Sequence, residues 1–145
     1  MKASRTVAPV ATSSVRLDWK GSGLAFKGSA PGGPEVVLDS DGAAGPSPTQ
    51  ALLLSLAGCM GVDVVMILQK GRVPLESLSV EVEGDRSEEV PRRFVSIRLV
   101  YTIVGPGQEN AQKVQRAVDL SRDRYCSVLH SLRSDIDLDI QVELT

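Results

Sequence analysis

Residues 51–68, ALLLSLAGCMGVDVVMIL, are the most apolar stretch of the chain, and what interrupts them limits what they can form. Ser55, Gly58, Cys59, Gly61 and Asp63 stand inside the run. An aspartate at the centre of a bilayer costs about 2.5–3.5 kcal/mol even on the most lenient scale, so a buried helix of a soluble protein is expected here, not a membrane span. Just upstream, Ser47-Pro48-Thr49-Gln50 is a capping box with proline at the first helical position. Downstream, Gly71 can close a helix in the left-handed conformation and Pro74 prevents its resumption. A helix is therefore predicted over residues 47–70. Apolar residues lie almost all round it, so it should be a central element packed on most sides.

The remaining pattern is mostly of period two. Val15, Leu17 and Trp19 alternate with charged residues, and the glycines at 21 and 23 turn the chain into Leu24, Ala25 and Phe26, which predicts a hairpin. Residues 30–34 read as a loop, 35–38 as a short strand and 39–45 as loop again. After the long helix, Leu78, Val80 and Val82 alternate with Ser79, Glu81 and Glu83, and Val95, Ile97, Leu99, Tyr101 and Ile103 continue the pattern, giving two antiparallel strands. Val114, Ala117, Val118 and Ser121 mark one face of a second helix, which residues 125–132 continue or restart. Ile136, Leu138, Ile140, Val142 and Leu144 form the inner face of a last strand whose other face is wet.

A chain of 145 residues with 42% hydrophobic content can bury one sizeable core. One domain over residues 15–145 is expected, after a loose tail over residues 1–14. The 16 basic and 18 acidic residues are interspersed, which leaves no basic stripe for a phosphate backbone, and aromatics at 3% offer few stacking platforms. Nucleic acid is excluded as a partner on these grounds. The first 14 residues lack the continuous apolar core of a secretory signal, so a cytoplasmic location is expected. In a reducing compartment the two cysteines are either inert core thiols or reactive ones.

Ser55, Cys59 and Asp63 are four apart and stack on one face of the long helix. That face could hold chemistry, or Cys59 could be a small buried hydrophobe with Asp63 marking a wet strip. Gly58 and Gly61 cost about 1 kcal/mol each relative to alanine, so either a close helix or an approaching ligand should need the space. A reactive thiol requires a thiolate, and Cys59 is too far from the helix start for the dipole to help. The cation would come from Arg16, Arg92, Arg93, Arg122 or Arg124. His130, four residues after Cys126, permits a Cys–His pair. A zinc site from Cys59, Cys126, His130 and an aspartate lacks the usual short ligand spacing, so no metal is expected, nor any other cofactor.

In combination, several segments resemble the OsmC/Ohr family, in its OsmC-like branch. They are Gly45-Pro46-Ser47-Pro48-Thr49-Gln50 leading to Leu56-Ala57-Gly58-Cys59, residues 63–70, Pro91-Arg92-Arg93-Phe94, and Tyr125-Cys126-Ser127-Val128. The resemblance implies an α+β fold with an antiparallel sheet wrapped around a central buried helix, and an intertwined homodimer. It also implies reduction of small-molecule hydroperoxides by two cysteines. Cys59 would become a sulfenic acid, Cys126 would condense with it to a disulfide, and an external dithiol would reduce that disulfide. Arg16, Thr49, Gln50 and Asp63 are the candidate supporting residues. Thr49 stands, with Gln50 beside it, where the peroxidases place a glutamate that positions the activating arginine, and Ser127 stands where they carry proline. The alternative is a non-catalytic module whose dimer cleft binds a small apolar or thiol-reactive molecule.

Overall fold

The computed structural model describes residues 11–145; the expected tail over residues 1–14 falls mostly outside them, and residues 11–14 are exposed and without regular structure. The chain divides into two compact units, Met1–Thr49 and Gln50–Thr145.

In the first unit, β1 (Arg16–Trp19), β2 (Ala25–Ser29) and β3 (Val36–Asp39) form an antiparallel sheet in the order β1-β2-β3. Arg16 pairs with Ser29, Trp19 with Phe26 and Ala25 with Asp39. The hairpin expected from the alternation at 15–20 is present, and Trp19 Nε1 donates to the Gly23 carbonyl across its turn at 3.0 Å. After β3 the chain is held by Asp39, whose buried carboxylate accepts N–H groups from Asp41, Ala43 and Ala44 at 2.9, 3.2 and 3.0 Å. These donors stabilise the charged form, so its pKa lies below the usual aspartate value.

The long helix α1 (Pro48–Lys70) starts and stops where capping box and glycine place it. In the second unit it is followed by β4 (Ser77–Arg86), β5 (Phe94–Val104), α2 (Ala111–Leu120), a π-helical turn (Ser121–Tyr125), α3 (Ser127–Ser131) and β6 (Asp137–Leu144). β4 and β5 pair antiparallel, as their alternation suggested. β6 runs parallel to β5, from Ser96 opposite Asp137 to Ile103 opposite Leu144. The sheet is therefore mixed, which corrects the expectation of an antiparallel one. Alternation within a strand fixes which residues face the core but says nothing of strand direction; the helical crossover through α2 and α3 brings β6 back parallel.

Leu56, Met60, Val64 and Leu68, at intervals of four along α1, are fully buried. They share one core with Ile97, Leu99, Tyr101 and Ile103 of β5, Val114, Ala117 and Val118 of α2, and Cys126. The opposite side of α1 is different. Leu54, Val62 and Met66 are each more than half exposed. Within one chain α1 is thus packed on one face only, not on most sides, because a three-stranded sheet with α2 offers a single surface to lie against. Gly58 and Gly61 border the open side. A Cβ at Gly58 would meet nothing within 4 Å, and one at Gly61 only Leu78 and Val80 at 3.9 Å, so no helix among the described residues uses the space they leave.

Candidate functional site

Cys59 and Asp63 sit one turn apart on α1, on the flank of the buried stripe, and both are half-buried. Cys126 reaches the same place from the far end of the sequence. The π-helical turn ends with the Cys126 N–H donating to the Ser121 carbonyl at 2.9 Å, and Cys126 then takes an extended conformation as the cap of α3. Its Sγ accepts the Leu129 N–H at 3.3 Å, doing as a thiol what Ser or Asp usually does at a helix start. The two sulfurs and a carboxylate oxygen of Asp63 all lie within 4.8 Å of one another. Spacing along the helix had related Cys59 to Asp63. The fold adds Cys126, which the family resemblance had paired with Cys59.

Two further residues frame the group. Ser121, fully buried, donates from its Oγ to Asp63 Oδ2 at 2.8 Å. Tyr101, also without exposure, points a hydroxyl into the interior that has no hydrogen-bond partner among the described residues. Burial raises the Tyr101 phenol above its ordinary pKa, and the negative charge of nearby Cys126 and Asp63 raises it further. Burial also pushes the Cys126 thiol up, to about 11, with Cys59 beside it adding to the rise and the Leu129 N–H opposing it. Both framing residues left a trace in the sequence, as polar groups on otherwise apolar faces: Ser121 after Val114, Ala117 and Val118, and Tyr101 between Leu99 and Ile103.

Arg92 is exposed, and most of the other candidates have partners outside this group. Ser55 is exposed and donates to the Leu52 carbonyl of its own helix at 2.7 Å. His130 donates from Nε2 to the Arg122 carbonyl at 3.0 Å, which ties its ring to the π-helical turn, so the Cys126–His130 pair is not made. Arg16 is exposed and bound to Asp18, Nε to Oδ2 at 3.0 Å. Arg93 reaches Asp135, Arg122 reaches Asp119 and Asp123, and Arg124 lies over the Tyr125 ring. At the start of α1, Thr49 Oγ1 is 3.3 Å from Ser47 Oγ, Gln50 follows it, and the first turn holds no acidic residue.

The fold and this pair of thiols define a mixed α+β protein with a two-cysteine site between a core helix and a helix cap. Residues 40–141 match the family described as OsmC-like protein, and the chain belongs to that family. It is 38% identical over 124 residues to Protein YhfA of Escherichia coli K12, covering 85% of this chain and 91% of that one. The crystal structure of a hypothetical protein from Aquifex aeolicus VF5 superposes with a TM-score of 0.82 at 30% identity, over 93% of this chain and 97% of that one. An organic hydroperoxide resistance protein OsmC from Legionella pneumophila shares the fold, with a TM-score of 0.68 at 18% identity over 94% and 99% of the two chains.

Proposed function

We propose that the chain is a thiol-dependent reductase of small organic hydroperoxides, acting in the cytoplasm as a homodimer. The observation that supports this reading most is the convergence of Cys59 and Cys126, 67 positions apart in sequence, on one site with sulfurs within 4.8 Å. The half-buried Cys59 thiolate attacks a peroxide oxygen; the S–O bond forms as the O–O bond breaks, and the alkoxide leaves as alcohol after taking a proton. Cys59 is then a sulfenic acid. Cys126 attacks the oxidised sulfur, Asp63 takes the proton that Cys126 releases, and hydroxide departs as water with that proton. The sulfurs close from within 4.8 Å to about 2.0 Å, with the π-helical turn before Cys126 supplying the local movement. An external dithiol returns both cysteines to thiols.

The homodimer draws its support from α1. Its open side, lined by Leu54, Ala57, Gly58, Val62 and Met66, is a continuous apolar surface that a second copy of the same helix would cover. The buried stripe at 56, 60, 64 and 68 supports a soluble core helix over a membrane span, although α1 alone is long and apolar enough for one.

A second reading, a non-catalytic module binding a small apolar or thiol-reactive molecule, draws support from the pairing of Arg16 with Asp18 and from the absence of a carboxylate in the first turn of α1. Consumption of an organic hydroperoxide by the reduced protein, with dithiothreitol or a dihydrolipoyl compound as electron donor, separates the two. Turnover supports the reductase. Binding of a hydroperoxide or its alcohol without turnover supports the module.

A further inference from the structure

We propose that Cys59, Cys126 and Asp63 form a binding site for a thiophilic divalent cation of the Zn2+ kind, with one coordination position left for an exchangeable water. Two sulfurs and a carboxylate oxygen are a donor set that suits this ion. Tetrahedral zinc, with bonds of about 2.3 Å to sulfur, holds two sulfurs about 3.8 Å apart. The three donor atoms already lie within 4.8 Å of one another, so small side-chain rotations complete the set without movement of the helices.

The surroundings are those that zinc ligands require. Ser121 fixes Asp63 through Oδ2 at 2.8 Å, and a single hydrogen bond leaves the carboxylate further lone pairs for the ion. Leu129 N–H bonds Cys126 Sγ at 3.3 Å and holds the sulfur in place at the start of α3. Tyr101 brings an independent sign of a ligand. Its hydroxyl is fully buried, within the same core cluster as Cys126, and has no hydrogen-bond partner among the described residues. A buried donor left unpaired costs about 1–3 kcal/mol, and a water on the fourth position of the ion would give this one an acceptor. Half-burial of Cys59 and Asp63 leaves a way in, while Cys126 closes the inner side. Linear spacing concealed the set because the two cysteines belong to elements joined only in the fold.

Cation binding and disulfide formation compete for the same two sulfurs. Two thiolates, one hydroperoxide and two protons give one disulfide, one alcohol and one water, and the disulfide can no longer hold the ion. An oxidant would therefore release it.

The test uses the full chain, reduced, stripped with a chelator and titrated with Co2+ as an optical stand-in for Zn2+. The expected result is one equivalent per chain, an intense sulfur-to-cobalt band in the near ultraviolet, and displacement by Zn2+. Asp63→Asn, which keeps an oxygen for Ser121, should weaken binding by at least about tenfold, and Ser121→Ala by about tenfold. Because Cys126 is a core residue, wild-type protein oxidised to the disulfide with diamide replaces a cysteine variant and should show no band. Absence of a stoichiometric band, or equal binding by Asp63→Asn and by the oxidised protein, overturns the site. The titration contains no peroxide, so a protein that turns over peroxide but binds no cobalt refutes this site alone, and the converse refutes only the reductase reading.

Discussion

Ser121 Oγ donates to Asp63 Oδ2 at 2.8 Å, and this bond joins the turn leading to Cys126 with the helix that carries Cys59. Ser121 is fully buried, and the acceptor is a carboxylate. Hydrogen bonds of this type contribute about 1.5–3 kcal/mol. Ser121→Ala should lower stability by roughly that amount in urea unfolding, with an unchanged m-value. It should also slow closure of the Cys59–Cys126 disulfide relative to oxidation of Cys59, as read by quenched-flow thiol counting. Wild-type stability and closure in the variant would show that the bond does not hold the site together.

Gly84 on β4 lies under the ring of Phe94. A Cβ there would stand 2.6 Å from Phe94 Cε1 and 3.3 Å from Leu53 Cδ2, in a place where the ring and a leucine of α1 meet. Gly84→Ala should destabilise the protein by about 1–3 kcal/mol through overpacking. Shortening the ring neighbour in a Gly84→Ala, Phe94→Leu double variant should recover part of the loss. A neutral single substitution would mean that Phe94 is free to move aside.

Asp39 supplies the expected response to acid. Three backbone N–H groups hold its folded pKa below the ordinary 3.8, so its contribution to stability is present in full above that value and is lost as pH falls through the folded one. Amide resonances of Asp41, Ala43 and Ala44 should shift together in that acid range, tracking a single carboxyl. Asp39→Asn should abolish the common titration. Shifts centred at or above the ordinary value would contradict the three-donor arrangement.

The open side of α1 predicts association. Static light scattering should give twice the chain mass of 15.4 kDa, and Leu54→Glu or Met66→Glu, which place a charge where the apolar surface must be covered, should yield monomer or insoluble protein. A soluble folded wild-type monomer at micromolar concentration would remove the homodimer.

Much of this architecture was legible in the order of residues. The capping box at Ser47 and the stop at Gly71 located α1, alternation located β1, β4, β5 and β6, and turn and loop residues bracketed β2 and β3, because all these signals are local. Strand direction was not legible, since residues 136–144 read the same way parallel or antiparallel. The coverage of α1 was not legible either: its composition records every surface the helix ever meets, and one chain supplies only the face at Leu56, Met60, Val64 and Leu68. Cys59 and Asp63 were readable as a pair because they share a helix. Ser121 and Tyr101 were not assigned to the site, since a lone hydroxyl on an apolar face does not say what it points at. The meeting of Cys126 with Cys59 came only from the family resemblance, because it depends on a crossover 67 residues long.

On the proposed mechanism, Cys59 is oxidised first and Cys126 resolves it within the same site. The direct measurement is mass spectrometry of the unreduced protein after one equivalent of an organic hydroperoxide, for wild type, Cys59→Ser and Cys126→Ser, with dimedone present. The expected products are a Cys59–Cys126 cross-linked peptide in wild type, a dimedone adduct on Cys59 in Cys126→Ser, and unmodified Cys126 in Cys59→Ser. A dimedone adduct on Cys126 in Cys59→Ser, with Cys59 untouched in the other variant, would reverse the roles, and thiols left free in all three proteins would contradict the account altogether.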